Sequence, residues 1–216
     1  MPTSYLRALA SRLPGRTRAA ASRLLARLGV REPAPSAATW DAQYAAGRWA
    51  YLGELPELAR FSVLAGYLRH FKPGGAILDV GCGDGVLASR LHASDYRRYV
   101  GVDLSAAAIQ KATQAAVPNA SWIAEDAQRY APTERFDAIV FNEVLYYFAD
   151  PPDTVQRYAR ALNEGGILLL SINTAFRGGT AILADLKARY ATLDETRVTN
   201  GSNDWSWVCT ALAGRT

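Results

Sequence analysis

The chain has 216 residues, half of them hydrophobic, enough for one domain with a sizeable core. Its formal charge of +4 is unevenly placed: residues 1–31 hold seven arginines and no acid, leaving 17 basic against 20 acidic residues, or −3, elsewhere. Two cysteines, Cys82 and Cys209, make neither a disulfide framework nor a metal-ligand spacing. No run approaches the roughly 18 apolar residues of a spanning helix, and no secretory apolar segment is present, so a cytoplasmic protein is expected.

The N-terminal arm carries Leu6, Leu9 and Leu13, then Leu24, Leu25 and Leu28, at helical spacing on either side of Pro14-Gly15. With arginines at 7, 12, 16, 18, 23, 27 and 31 it reads as a basic amphipathic segment. Such a segment can remain solvated, contact a partner, act as a transit peptide, or lie peripherally on an anionic inner membrane surface. Arginine outnumbers lysine 21 to 3 throughout, which weakens a targeting reading. Without basic–aromatic interleaving, the arm is not expected to bind nucleic acid. Pro33 and Pro35 deny a helix continuation, so residues 1–36 are assigned to arm and linker and 37–216 to the folded domain.

The domain opens on an aromatic element containing Trp40, Tyr44, Trp49 and Tyr51, expected to form a lid with Gly47 as its hinge. A helix is predicted over 57–71, with Leu58, Phe61, Leu64, Ala65 and Leu68 on one face. Residues 77–85, ILDVGCGDG, then read as a short buried strand running into Gly81, Gly83 and Gly85. Val86, Leu87 and Leu91 predict a following helix. Strand, glycine turn and helix form a crevice in which a ligand reaches bare backbone and a helix N-terminus. Val86 stands where a dinucleotide fingerprint places its last glycine, so that ligand class is disfavoured.

Further strands are predicted at 99–103, ending on Asp103; at 121–124, before Glu125-Asp126-Ala127; at 136–141, before Asn142-Glu143-Val144-Leu145-Tyr146-Tyr147; and at 166–172. Asp103 lies where α/β folds place a ribose-binding acid. Ser105 is expected to cap a helix over 105–114. A helix near 180–190 precedes strands at 192–198 and 205–212, whose short separation requires an antiparallel pair. Alternating strands and helices predict an α/β, doubly wound, mostly parallel sheet.

At these motifs the chain resembles the class I S-adenosylmethionine-dependent methyltransferases, small-molecule and sugar type, similar to nodulation-type and glycan methyltransferases. DVGCGDG, GVDLS, AEDA, FDAIVFNEVLYYFADP and LNEGGILLLS appear in the family's order, covering about residues 40–212. The resemblance implies a seven-stranded Rossmann-like sheet with one reversed strand and S-adenosylmethionine as cofactor. It implies that Gly81 and Gly83 line the methionine part, that Asp103 holds the ribose, and that Leu104 packs on the adenine. Asp126 and Ala127 would face the adenine amine, and Asp79 would orient loop amides or the cofactor's ammonium. Asn142 is assigned to the cofactor side of the post-strand motif.

Glu143 and Tyr147 are the candidates for general base and acceptor orientation. Tyr44, Trp49, Tyr146 and Arg177 are candidates for acceptor binding. Relatives with an acid and a histidine in place of Tyr146 and Tyr147 differ here, so no metal is expected. His70 and His92 are placed on helices away from the chemistry, and Cys82 is read as a small residue beside the cofactor. The favoured reaction is O-methylation of a small molecule, a sugar or saccharide hydroxyl. N-methylation of an amino sugar or small amine is the alternative, and a non-catalytic cofactor-binding regulator is the third reading.

Overall fold

A computed structural model describes residues 34–176, 178–201 and 205–214. Residues 1–33, which include the basic arm, and Arg177 lie outside the described residues. The elements are α1 (Ala37–Ala45), a 3₁₀ turn (Ala50–Gly53), α2 (Leu55–Phe71), β1 (Gly75–Val80), α3 (Val86–Ser89), β2 (Tyr96–Asp103) and α4 (Ala106–Gln114). They continue with β3 (Ala120–Ala124), β4 (Phe136–Asn142), a 3₁₀ turn (Leu145–Tyr147), α5 (Pro151–Ala159), β5 (Leu162–Asn173), α6 (Gly179–Arg189), β6 (Thr192–Thr199) and β7 (Ser206–Ala213).

The seven strands form one sheet in the order β3-β2-β1-β4-β5-β7-β6. The pairs from β3 through β5 are parallel, while β7 is antiparallel to both β5 and β6. The predicted doubly wound sheet with one reversed strand is therefore present. After β1 the chain winds towards β3; at β4 it returns to the other side of β1. This reversal opens a crevice at the carboxyl ends of β1 and β4.

Every residue of β1 is buried, as a central strand covered on both faces requires. One face packs Leu78, Val80, Ile139 and Phe141 with Val155 and Tyr158 of α5. The other packs Ile77, Val140 and Leu169 with Phe61, Leu64 and Leu68 of α2. Burial of each such side chain contributes about 1.5–3 kcal/mol.

The α2 stripe differs from expectation at one end. Leu58 is 37% exposed, and Glu57 and Arg60 occupy the buried face instead. The predicted helix after the glycine loop is shorter than expected, Val86–Ser89; Leu91 lies beyond it but still packs on the core. His92 lies outside a helix, its N–H donating to Asp95. Asp150 and Ser105 cap α5 and α4 through bonds to Asp153 N and Ala108 N; such caps contribute about 1 kcal/mol each.

Candidate active site

The glycine loop is shaped by what lies against it. Gly81 has φ +76°, and a Cβ there would stand 2.4 Å from Val144 Cγ2. Glycine thus lets the turn after β1 touch the segment after β4. Gly83 has φ +55°, and a Cβ there would stand 2.5 Å from the Tyr44 hydroxyl. The lid residue Tyr44 therefore sits on the cofactor loop, although an acceptor-side position was expected.

Asp103 organises this loop. Its Oδ2 accepts from Gly83 N at 2.9 Å and its Oδ1 from Ser105 N at 2.8 Å. Burial holds its carboxyl above the usual range, partly opposed by those two amides. Asp79 holds no loop amide: Gly81 N and Cys82 N both donate to Val102 O. Its Oδ2 instead accepts from the Tyr99 hydroxyl at 2.6 Å, and its buried Oδ1 has no hydrogen-bond partner. Asp79 is 1% exposed, and burial pushes its carboxyl up to about 7. Asp84 Oδ1 is likewise buried without a partner.

Three carboxylates, two with unmet acceptors, thus surround a bare-backbone loop. That set of acceptors fits a cationic ligand with hydroxyls, which would supply both charge and hydrogen-bond donors. S-adenosylmethionine has both. Leu104 follows Asp103 and is partly buried. Asp126 turns the chain after β3, its Oδ1 accepting from Gln128 N at 2.8 Å. Ala127 is buried, with its carbonyl accepting from Arg157 and the Tyr158 hydroxyl.

The lid is anchored at two points. Asp41 Oδ1 accepts from Ser105 Oγ at 2.7 Å and Ala107 N at 3.1 Å, at the N-terminus of α4. Lys111 donates to the Tyr44 carbonyl. Trp49 donates to Gln43 and lies 5.4 Å from Trp40, which meets Tyr147 edge-on at 5.1 Å. Tyr51 meets Trp205, and Tyr146 stacks on Phe176 with centroids 4.1 Å apart. Lid, post-β4 turn and post-β5 segment thus form a chain of aromatic rings.

Glu143 lies among them with φ +59°, an unusual conformation for a non-glycine residue that surrounding contacts must enforce. Its N–H donates to Ser171 O at 3.0 Å. Its carboxylate accepts from Ser171 Oγ at 3.1 Å and from the Tyr146 hydroxyl. Burial raises its carboxyl to about 7, against Arg60 and these hydroxyls, which favour the anion. Tyr147 is not Glu143's hydrogen-bonding partner; among the described residues its hydroxyl has none. Burial and the nearby Glu143 carboxylate raise that hydroxyl to about 12.

Asn142 is engaged from a direction the sequence reading missed: Arg60 donates to its Oδ1. Arg60 also pairs with Glu57 at 2.7 Å, both almost fully buried. A signal existed, because residues 57 and 60 share the helical stripe of Phe61, Leu64 and Leu68. Ser171, Asp41, Lys111 and Tyr99 were missed because each acts through a tertiary contact. Among the described residues, no group of three or more His, Cys, Asp and Glu side chains is arranged to hold a metal, and no helix is long and apolar enough to cross a membrane.

Residues 51–193 match the family described as methyltransferase domain. The ubiquinone biosynthesis O-methyltransferase of Klebsiella pneumoniae subsp. pneumoniae is 31% identical over 157 residues, covering 67% of this chain and 63% of the relative. The malonyl-[acyl-carrier protein] O-methyltransferase of Anoxybacillus flavithermus is 32% identical over 105 residues, covering 48% of this chain and 40% of the relative. The match thus spans less than two thirds of either relative. The crystal structure of the N-methyltransferase NodS from Bradyrhizobium japonicum, in complex with S-adenosyl-L-homocysteine, superposes with a TM-score of 0.67 at 22% identity. It covers 78% of this chain and 92% of NodS, a likeness of fold.

Proposed function

This chain belongs to the S-adenosylmethionine-dependent methyltransferases, and we propose that it methylates a hydroxyl of a small-molecule acceptor, a sugar or saccharide, with Glu143 as general base. The observation that carries this reading is the Glu143 carboxylate, held by Ser171 and Tyr146 beside Val144, the residue that touches the glycine loop.

When bound, S-adenosylmethionine supplies a methyl group already activated on sulfonium. Asp103 and the Gly81–Gly83 backbone would hold it, with Asp79 and Asp84 facing its positive charge. Asp126, Ala127 and Leu104 are assigned to its adenine end and Asn142 to the side near the methyl.

The chain's remaining work concerns the acceptor. An alcohol holds its proton tightly, so a positioned base is required as its oxygen attacks. Glu143, with a carboxyl near 7, can accept that proton at neutral pH. Ser171 and Tyr146 each donate to one of its oxygens, leaving further lone pairs for the acceptor's O–H. The Tyr147 hydroxyl, without a hydrogen-bond partner among the described residues, orients the acceptor. Trp49 and Tyr146 supply ring faces for the apolar side of a sugar, and Arg177 is assigned to an anionic substituent. The aromatic lid excludes water. The two relatives named by sequence are O-methyltransferases, which supports oxygen as the nucleophile, while NodS, similar in fold, is an N-methyltransferase.

The test is a transfer screen with methyl-labelled donor against saccharides, nucleotide sugars and small amines. A saccharide hydroxyl should be methylated, and Glu143→Gln should lower kcat by about 10²–10⁴. Amine methylation with no hydroxyl product would replace the reading. Full activity in Glu143→Gln would remove the base.

A further inference from the structure

We propose that the buried pair Glu57–Arg60 on α2 is part of the acceptor site: its residues are positioning residues that clamp Asn142 and set the charge facing Glu143. This inference rests on Glu143 being the acceptor-side carboxylate.

Because α2 begins at the carboxyl edge of the sheet, its first two turns reach the residues that end β4. Arg60 donates to Asn142 Oδ1 with Nη1 and to Glu57 Oε2 with Nε and Nη2, at 3.2 and 2.7 Å. Its guanidinium lies 4.2 Å from the Phe61 ring centroid and 5.6 Å from that of Trp207. Arg60 is 1% exposed and Glu57 2%. Glu57 Oε1 is buried with no hydrogen-bond partner. A buried ion pair with an unmet acceptor is a poor device for stability alone, since apolar residues of similar volume usually serve as well or better.

The pair is placed where charge matters. Asn142 precedes Glu143, whose positive φ demands support from its neighbours. Arg60 holds that turn from the α2 side and Ser171 from the β5 side. The Arg60 cation favours the Glu143 anion, and the Glu57 anion opposes it. The other groups facing Glu143 are Tyr146 and Tyr147 from its own turn, Tyr51 from the 3₁₀ turn before α2, and Cys209 from β7. Glu57 and Arg60 act on Glu143 with opposite signs.

The experiment reads Glu143 directly, without an acceptor. The full chain is labelled with glutamate ¹³C at the carboxyl, and the Glu143 signal is assigned by its loss in Glu143→Gln. Glu57→Gln should lower the Glu143 midpoint by about one pH unit, and Arg60→Gln should raise it by about one. The double variant should return to within about half a unit of the parent, and Arg60→Lys should hold the parent value. A merely structural pair predicts a different pattern. Loosening the site lets Glu143 reach water, so both single variants would fall towards about 4.3. That result, or midpoints unchanged in both, overturns the proposal. Circular dichroism reports whether each variant folds. If Arg60→Gln does not, Arg60→Met takes its place: a rise in the Glu143 midpoint supports the proposal, and a fall or no change overturns it. The base reading fails separately, through full methyl transfer by Glu143→Gln.

Discussion

The Tyr44 hydroxyl stands 2.5 Å from the point a Cβ on Gly83 would occupy. The lid helix and the cofactor loop are thus in contact through one phenol, and the loop's glycine is required for that contact as well as for its positive φ. Gly83→Ala should cost about 2–4 kcal/mol, from left-handed strain and overlap together. In a Tyr44→Phe background the nearest ring atom would be 3.5 Å away, an ordinary contact. The cost there should fall to about 1–2 kcal/mol, the strain alone. A double-mutant cycle by urea denaturation measures this; equal costs in both backgrounds would place Tyr44 off the loop.

Asp103 is expected to act on loop and cofactor together. Asn at this position keeps one carbonyl oxygen for the two amides of Gly83 and Ser105. One amide would lose its acceptor, at about 1–3 kcal/mol. Asp103→Asn should therefore both destabilise the fold and weaken S-adenosylhomocysteine binding at least about tenfold, by loss of hydrogen bonds worth about 1.4 kcal/mol or more. Calorimetry giving unchanged affinity would end the ribose role.

The Asp79 carboxyl should leave a signature in stability against pH. Its folded pKa of about 7 lies above the ordinary 3.8, so between those values the folded chain binds a proton that the unfolded chain has lost. This contribution is fully present below the unfolded value and is lost as pH rises through the folded one. From about pH 5 to 8 the parent should lose about 2–3 kcal/mol more than Asp79→Asn. Parallel stability curves for the two proteins would show that Asp79 does not titrate in this way.

The lid should loosen when its acidic anchor goes. Asp41 accepts from Ser105 and Ala107, and these bonds pull its carboxyl below the ordinary range. Asp41→Ala should raise amide exchange in α1, Tyr44 included, while β1 and β4 stay protected. It should also shorten the residence time of S-adenosylhomocysteine. Hydrogen exchange with mass spectrometry checks the first effect, and uniform protection in both proteins would place the lid's anchor elsewhere.

Much of the fold was legible because its signals are local. The apolar run 77–80 with three glycines after it specifies a buried strand and a turn whatever else the chain does. The short gap between the last two strands leaves only an antiparallel pairing, which β6 and β7 adopt. Asp103 was legible as the acid that ends its strand, β2, while its bond to Gly83 N is a contact made across the fold. The element after the glycine loop was less so: Val86, Leu87 and Leu91 share a stripe, yet the helix closes at Ser89.

By itself, then, the sequence determined the parallel sheet and the glycine loop, because hydrophobic period and glycine spacing act over a few residues. Tertiary structure decided how the acidic groups are used. It took Asp79 from the loop amides to Tyr99, gave Glu143 to Tyr146 and Ser171, and seated Tyr44 over Gly83. It also carried Arg60 across 82 positions to Asn142. These outcomes depend on which side chains meet when helices close over the sheet. A buried carboxylate takes its protonation and hydrogen bonds from those neighbours, and no spacing along the chain encodes them.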